Sequence, residues 1–264
     1  MPKPVYGRFH RPGSLAQLTR GRGQNSELAA FLLPFARRDY WFKHYDFEEQ
    51  TINPDWTVAN SSGTSAADFA VVADIEDGIL RGDTGTDDNG SIAIRYDTAL
   101  FDAARNPGME VRFKCDTITA MLFEAGFHDP ATNEYAINIS DIDTPALTSN
   151  GVTDTIFVAM DSDQTLKNAA IIGKGTTDSI AKTVLGASPG VNPLTAATYA
   201  TVLVQGRANG GYGIIDDNLA TAGAVAVGPD TAVLMLPYFL VATRSVTAVF
   251  PDIDYITLWK ERKP

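Results

Sequence analysis

Cleavage of a glycosidic bond takes two carboxyl groups held about 5 to 10 Å apart across the scissile bond. The chain comes nearest to such a pair at Asp141-Ile142-Asp143 and at Asp252-Ile253-Asp254. Each pair stands at the end of an apolar run beside a proline, Pro145 or Pro251, and neither has a third carboxylate, so both read as turn residues. The three histidines are scattered, with His10 near the start, His44 in the first apolar run and His128 in a turn. None adjoins a Gly-x-Ser-x-Gly elbow or a second histidine at metal-binding spacing. Cys115, the single cysteine, shares one face with Val111 and Phe113, which makes it a core thiol rather than a nucleophile and excludes an intrachain disulfide.

Calcium is the one cation with partial support. Asp83 to Ser91, Asp161-Ser162-Asp163 and Asp216-Asp217-Asn218 gather acidic oxygens in turns, yet none has the Asp-x-Asp-x-Asp-Gly spacing with a distal Glu. They read as solvated turns, and no cofactor is expected. No Gly-rich loop links a strand to a helix, so nucleotide binding has no support.

The elements that would position any site are strands. From residue 197 to 260 the chain runs Tyr199-Ala-Thr-Val-Leu-Val-Gln-Gly-Arg207, Gly211-Tyr-Gly-Ile-Ile-Asp-Asp-Asn218, Val233 to Arg244, and Asp252-Ile-Asp-Tyr-Ile-Thr-Leu-Trp-Lys260. These are short β-branched and aromatic runs divided by Gly, Pro, Asn or Asp, the pattern of antiparallel strands joined by turns. Upstream, Tyr40 to Phe47, Phe69 to Asp74 with Gly78 to Arg81, Ser91 to Tyr96, Glu110 to Asp116 and Thr155 to Met160 repeat it. Asn89-Gly90 suits a tight turn, because both tolerate positive φ. Thr119 to Phe127 and Glu134 to Ile139 flank His128 to Asn133 as a hairpin, Ala169 to Ile172 is a short strand, and Ser179 to Leu185 is undecided. The tally is about a dozen strands and almost no helix, an all-β fold in one domain from residue 39 to 264.

A hairpin displaying Asp216-Asp217-Asn218, a Leu-Pro-aromatic strand at Leu236 to Tyr238 and a closing Asp252-x-Asp254-Tyr255-x-x-x-Trp259 strand resemble the second half of the concanavalin A-like (laminin G/glucanase-like) jelly-roll sandwich. Tyr40 to Phe47, Trp56, Gly78 to Gly85 and Ser91 to Tyr96 are similar to its opening strands in versions found in tailed-bacteriophage virion proteins. The resemblance spans residues 40 to 260 and implies a two-layer antiparallel jelly-roll β-sandwich whose first and last strands pair. Its glucanase branch carries Glu-x-Asp-x-(x)-Glu on one strand, which this chain lacks, so the resemblance implies a protein that is not an enzyme.

Charge divides the chain. Residues 1 to 38 hold Lys3, Arg8, Arg11, Arg20, Arg22, Arg37 and Arg38 against Glu27 alone, while the whole chain is −11. A basic arm therefore precedes an acidic body, and it is rich in Pro and Gly through residue 23, with a short helix expected at 26 to 33 after Asn25 or Ser26. Tyr6 and Phe9 alternate with Arg8 and Arg11, and with Arg20 and Arg22 these are the expected docking residues, since aromatic and Arg side chains anchor interfaces. The arm is expected to lie near the basic tail Lys260-Glu-Arg-Lys263. No run of eighteen apolar residues is present, so no membrane helix is expected, and Met-Pro-Lys-Pro lacks the apolar core of a signal peptide.

Together these features lead to the expectation of a non-enzymatic structural protein on the exterior of a phage capsid. It would be a decoration, cement or head-spike subunit assembled in the host cytoplasm, with the major capsid protein and further copies of itself, as a dimer or trimer, for partners. The alternative is a carbohydrate-binding or receptor-binding fibre module for host-surface glycans, with Trp56, Tyr212, Asp216 and Asn218 supplying aromatic platform and polar groups. Nucleic acid is disfavoured as a partner because the acidic body would oppose phosphate.

Overall fold

A computed structural model describes residues 40–49, 51–61, 68–72, 78–130, 137–148, 151–164, 169–185, 193–216 and 222–262. The basic arm, with Tyr6, Arg8, Phe9, Arg11, Arg20 and Arg22 and the helix expected at 26 to 33, lies outside the described residues. Seventeen strands, β1 to β17, are described, and every pairing between them is antiparallel.

Two sheets face one another. The eight-stranded sheet runs β15 (Ala222–Val225), β14 (Gly210–Ile215), β13 (Ala200–Arg207), β6 (Gly108–Cys115), β17 (Pro251–Glu261), β4 (Leu80–Asp83) and β3 (Asp68–Val71), with β1 (Tyr40–Tyr45) also paired to β17. The seven-stranded sheet runs β12 (Ala181–Val184), β11 (Ala170–Lys174), β10 (Thr155–Asp161), β7 (Met121–His128), β16 (Leu236–Thr243), β5 (Ser91–Tyr96) and β2 (Trp56–Asn60). A separate hairpin joins β8 (Ile139–Asp141) to β9 (Ala146–Leu147). This is the expected all-β sandwich, and β1 meets β17 as expected, from Tyr40 opposite Glu261 to Tyr45 opposite Ile256.

Period-two alternation builds the core. On β6, Met109, Val111, Phe113 and Cys115 enter the main core, while Arg112 and Lys114 stay half-buried on the other face. Cys115 is the expected core thiol, and burial pushes its pKa well above the usual thiol range. On β7, Met121, Phe123, Ala125 and Phe127 enter the same core. The opposite face of the seven-stranded sheet is apolar too. Leu122, Phe157, Leu236, Tyr238 and Leu240 there form a second cluster with Ile139 of β8 and Ile142. Hence β7, β10 and β16 are buried along their whole length.

Several expectations are corrected. Residues 139 to 141 do not pair with β7, whose neighbours are β10 and β16; they join β9 in the hairpin over the sheet face, and residues 131 to 136 lie outside the described residues. His128 is the buried last residue of β7, not a turn residue. Asn89 does take a positive φ of 62°, but the turn carries the chain from one sheet to the other, since β4 and β5 lie in different layers. Asp252 and Asp254 lie inside β17 and not in a turn: Pro251 opens the strand, where a missing N–H does no harm. Lys260 adds nothing to a basic tail, because it is buried with its Nζ donating to the Leu100 carbonyl at 2.6 Å.

The Trp259 ring of β17 covers Gly108 on β6. A Cβ there would lie 2.0 Å from Cε2 of Trp259, its cross-strand partner, so only glycine lets that ring lie flat on β6. Gly108→Ala should destabilise the body by about 1–3 kcal/mol, lowering the calorimetric melting midpoint by about 2–4 °C for each kcal/mol. An unchanged midpoint would mean that Trp259 moves aside without loss.

Candidate functional site

Two groupings of polar and aromatic side chains stand out, one at a lateral edge of the sandwich and one on the outer face of the seven-stranded sheet. At the edge, the alternation of β1 turns Trp41, Lys43 and Tyr45 to one side, toward Trp56 on β2 and Tyr96 on β5. Trp56 packs edge-on against Tyr45 and Tyr96, at centroid distances of 5.3 and 5.4 Å, and Trp41 packs edge-on against Phe101 at 5.5 Å. Into this aromatic wall Lys43 extends its amine, 5.6 to 5.8 Å from the rings of Trp41, Tyr45 and Tyr96. Its charge is met by Asp55, and Nζ also donates to Tyr96 Oη at 3.0 Å. Tyr45 Oη donates to the same Asp55 oxygen at 2.6 Å.

The electrostatics follow from these contacts. Burial works against the Lys43 ammonium, but the bonds to Asp55 and Tyr96 raise its pKa above the usual lysine value. Hydrogen bonds from Lys43 and Tyr45 lower that of Asp55. Burial, then the bond to Asp55, keeps the Tyr45 hydroxyl protonated. The pair remains open to solvent, with side-chain exposures of 36% for Lys43 and 33% for Asp55, and Trp41 is half-buried. Trp56 Nε1 is buried without a hydrogen-bond partner among the described residues. The edge thus offers aromatic faces, a cation, a carboxylate and tyrosyl hydroxyls at one place, which suits the binding of a polyhydroxylated ligand. Asp55 is the carboxylate that Lys43 and Tyr45 contact, while neighbouring Asp97 accepts from Thr57 Oγ1 at 3.0 Å.

On the sheet face the centre is Glu124, in the middle of β7 and fully buried. Its oxygens accept from Asn138 N, Asn138 Nδ2 and Ile139 N, each at 2.8 Å, and from Tyr238 Oη at 3.0 Å. Burial outweighs these four donors and raises its pKa to about 7. His128, two residues further along the same face after Gly126, stacks edge-on against Tyr238 at 4.4 Å and donates from Nδ1 to the Asp129 carbonyl. Burial lowers the His128 pKa to about 4. A carboxylic acid near pKa 7 has the acidity of a general acid, but here the β8–β9 hairpin lies over it. Along its outward face the strand that carries it reads Leu122, Glu124, Gly126, His128.

Of the residues expected to form a glycan site, Trp56 and Tyr212 lie in different sheets. Trp56 is buried on β2, the outermost strand of the seven-stranded sheet, and is a packing residue rather than an open platform. Tyr212 is half-buried on β14 in the other sheet, one strand from the opposite edge. Asp216 is exposed at φ 58° directly after β14, and Asn218 lies outside the described residues. Trp41, Lys43, Asp55 and Glu124 were not singled out by sequence reasoning. The available signals were the shared face of Trp41, Lys43 and Tyr45, and the lone charge in the run Met121 to Phe127. As for cations, no group of three or more His, Cys, Asp or Glu side chains among the described residues is placed to hold a metal. Asp161 instead pairs with Arg244, and Asp83 caps Gly85 N at 2.8 Å.

No protein-family model matches the chain, and no curated protein matches it. Solved structures do share its fold. The catalytic domain of an endo-1,3-beta-glucanase (laminarinase) from Thermotoga petrophila RKU-1 aligns with a TM-score of 0.55 at 12% identity, over 85% of this chain and 99% of that one. The carbohydrate recognition domain of Emp47p aligns at 0.52 and 11% identity, over 81% and 92%. Rv0315 of Mycobacterium tuberculosis, an immunostimulatory antigen and pseudo beta-1,3-glucanase, aligns at 0.51 and 12%, over 83% and 98%. The fold is therefore the concanavalin A-like sandwich, which hosts both cleaving and purely binding members. At these identities the likeness concerns fold alone.

The two buried groups on β7 set opposite pH dependences. Glu124 is raised from 4.5 to about 7, so its contribution is full below pH 4.5 and is lost as pH rises through 7. His128 is lowered from 6.5 to about 4, so its contribution is full above pH 6.5 and is lost as pH falls through 4. Each is worth about 3 kcal/mol, and between pH 4.5 and 6.5 the slopes nearly cancel. Glu124→Gln should expose the histidine dependence, losing about 3 kcal/mol more than the parent between pH 6.5 and 4, as read by urea unfolding. Parallel pH curves for variant and parent would show that Glu124 does not titrate in this range.

Proposed function

We propose that this chain is a non-catalytic glycan-binding module, carried on a tailed-phage virion, whose binding site is the lateral edge formed by Trp41, Lys43, Asp55 and Tyr96. The reading rests first on one observation: the carboxylate in the middle of the seven-stranded sheet is sealed beneath Asn138 and Ile139. A sugar chain has no access to Glu124, and no second carboxylate stands with it on the outward face of β7. The open groups at the edge are those of recognition. Asp55 and Lys43 would bond sugar hydroxyls, and the half-buried Trp41 ring would stack on an apolar sugar face. Support from relatives is of the same kind, since Emp47p contributes a carbohydrate recognition domain and Rv0315 a pseudo-glucanase on this fold.

A second reading, capsid decoration, is favoured by the contrast between the basic arm and the acidic body. In it, Tyr6, Arg8, Phe9, Arg11, Arg20 and Arg22 dock the arm on the capsid, and copies bind side by side. The two readings are compatible if the arm attaches the protein and the sandwich edge faces the host.

A glycan array followed by titration calorimetry tests the first reading. Trp41→Ala should weaken the best saccharide about tenfold or more, as expected for loss of a stacking contact of about 1–3 kcal/mol, while Glu124→Gln leaves affinity unchanged. Hydrolysis of an array sugar, or affinity indifferent to Trp41, would overturn it. For the second reading, removing residues 1 to 23 should leave a folded body that no longer sediments with capsids. Full retention of sedimentation would remove the docking role of the arm.

A further inference from the structure

The polar contact that fastens the β8–β9 hairpin to the seven-stranded sheet is asymmetric. Glu124 Oε1 receives two main-chain donors, Asn138 N and Ile139 N, both at 2.8 Å. An N–H group can only donate, which suits the carbonyl oxygen of a neutral acid as well as it suits a carboxylate. Oε2 meets Asn138 Nδ2 at 2.8 Å and Tyr238 Oη at 3.0 Å. A tyrosyl hydroxyl both donates and accepts, so by rotating about its C–O bond Tyr238 can take a hydrogen bond from a proton carried on Oε2. The site therefore accommodates the protonated acid with its buried oxygens still paired.

The ionised acid is less well served. Its cross-strand neighbours are Ala159 on β10 and Leu240 on β16, and among the described residues no cation bonds it. Burial, then the nearby Glu124, keeps Tyr238 protonated and uncharged. His128, further along β7, lies against the Tyr238 ring with Nδ1 donating to the Asp129 carbonyl, and Arg95 on β5 stands opposite Tyr238. The hairpin itself brings only acids, Asp141 and Asp143, while Lys182 of β12 gives its ammonium to the carbonyls of Ile142 and Asp143. On ionisation a full negative charge lies in the apolar cluster of Leu122, Ile139 and Leu240, compensated by dipoles alone. Hydrating that charge requires the hairpin to lift, and its strands have three and two residues.

We propose that the β8–β9 hairpin is a pH-sensitive strap, held over the seven-stranded sheet by protonated Glu124 and lifting as Glu124 ionises, which uncovers the apolar face of Leu122, Phe157 and Leu240. Glu124 is raised from 4.5 to about 7 by burial, so the hold is full below pH 4.5, weakens as pH rises, and is lowest once pH has passed 7. His128, lowered from 6.5 to about 4, acts in the opposite sense, its contribution being full above pH 6.5 and lost as pH falls through 4. The strap shares no residue with the Trp41 edge and does not rest on the glycan reading. Lifting it leaves Glu124 the single carboxylate of β7.

Amide hydrogen exchange on the full chain between pH 4.5 and 8 tests the strap, expressed as protection factors so that the intrinsic rise of exchange with pH divides out. The readout is the protection of the Asn138 and Ile139 amides in the parent divided by that in Glu124→Gln, a ratio that removes whatever His128 contributes. It should fall about a hundredfold or more from pH 4.5 to 7 and level off above. At pH 7 both amides should be at least tenfold less protected than those of Phe123 and Ala125 in β7, because they open without the rest of the body. Lys182→Met, which removes the other clasp, should lower the protection of both by a factor that does not vary with pH. Should Glu124→Gln not fold, the parent's own protection is compared with the carboxyl carbon shift of Glu124 by NMR, which should titrate near 7. A ratio constant with pH, or a Glu124 carboxyl that titrates near 4.5, would overturn the pH dependence. Hairpin amides as well protected as those of β7 at every pH would overturn the strap itself.

Discussion

A carboxylate taken fully out of water must be surrounded by donors, and Glu124 is the group on which the second layer of this protein depends. Two of its four donors, the N–H groups of Asn138 and Ile139, are main-chain groups at the start of the β8–β9 hairpin. That hairpin has strands of three and two residues, far below what folds alone in water. It is held because it closes an otherwise open apolar face with Ile139 and Ile142, and because Glu124 satisfies backbone groups that would otherwise be buried unpaired. Lys182 on β12 adds a clasp from the far side, donating to the carbonyls of Ile142 and Asp143 at 2.6 and 2.8 Å. The same interaction that stabilises the hairpin keeps solutes from the middle of the sheet.

Closing that face moves the accessible chemistry to the periphery. At the edge, Lys43 and Lys260 both point toward the interior from paired strands, an arrangement that discourages edge-to-edge aggregation. Their charges are accommodated differently. Lys260 lies over Trp41 and Phe101 with a carbonyl as its only hydrogen-bond acceptor among the described residues, and burial lowers its pKa. Lys43 keeps a carboxylate partner and a third of its surface, so it alone combines a firm charge with access. Edge protection and the proposed ligand recognition would draw on the same inward cation, Lys43.

The sandwich was legible in the chain because single-sided strands advertise themselves. Glu110 to Cys115 alternates cleanly, since one face meets the core and the other carries charge, and the pairing of the first and last strands follows from the jelly-roll resemblance. The hairpin was not legible. Strands β7, β10 and β16 are buried on both faces, so alternation vanishes and nothing in Met121 to His128 says which side is covered or by what. Asp252 and Asp254 were misread because Pro251 looks like a terminator, whereas it opens a strand of eleven residues. Trp56 and Tyr212 each sit near turn residues, but sequence does not say which sheet a strand joins, and these two join different ones. Lys260 was within reach of sequence reasoning: it continues the inward series Ile256, Leu258, and a period of two would have turned it inward.

The ion pairs differ in how far each partner is removed from water. Arg244 and Asp161 are both nearly buried, at 13% and 1% side-chain exposure, and Arg244 also donates to Asn89 Oδ1 at 2.6 Å, which ties the turn before β5 to the end of β10. The pair therefore fastens the end of β10 to the segment that follows β16. Arg81 with Asp252 has the reverse character, a buried acid beneath a base more than half exposed. The exposed base is screened by water, so the pair contributes less than a fully enclosed one would.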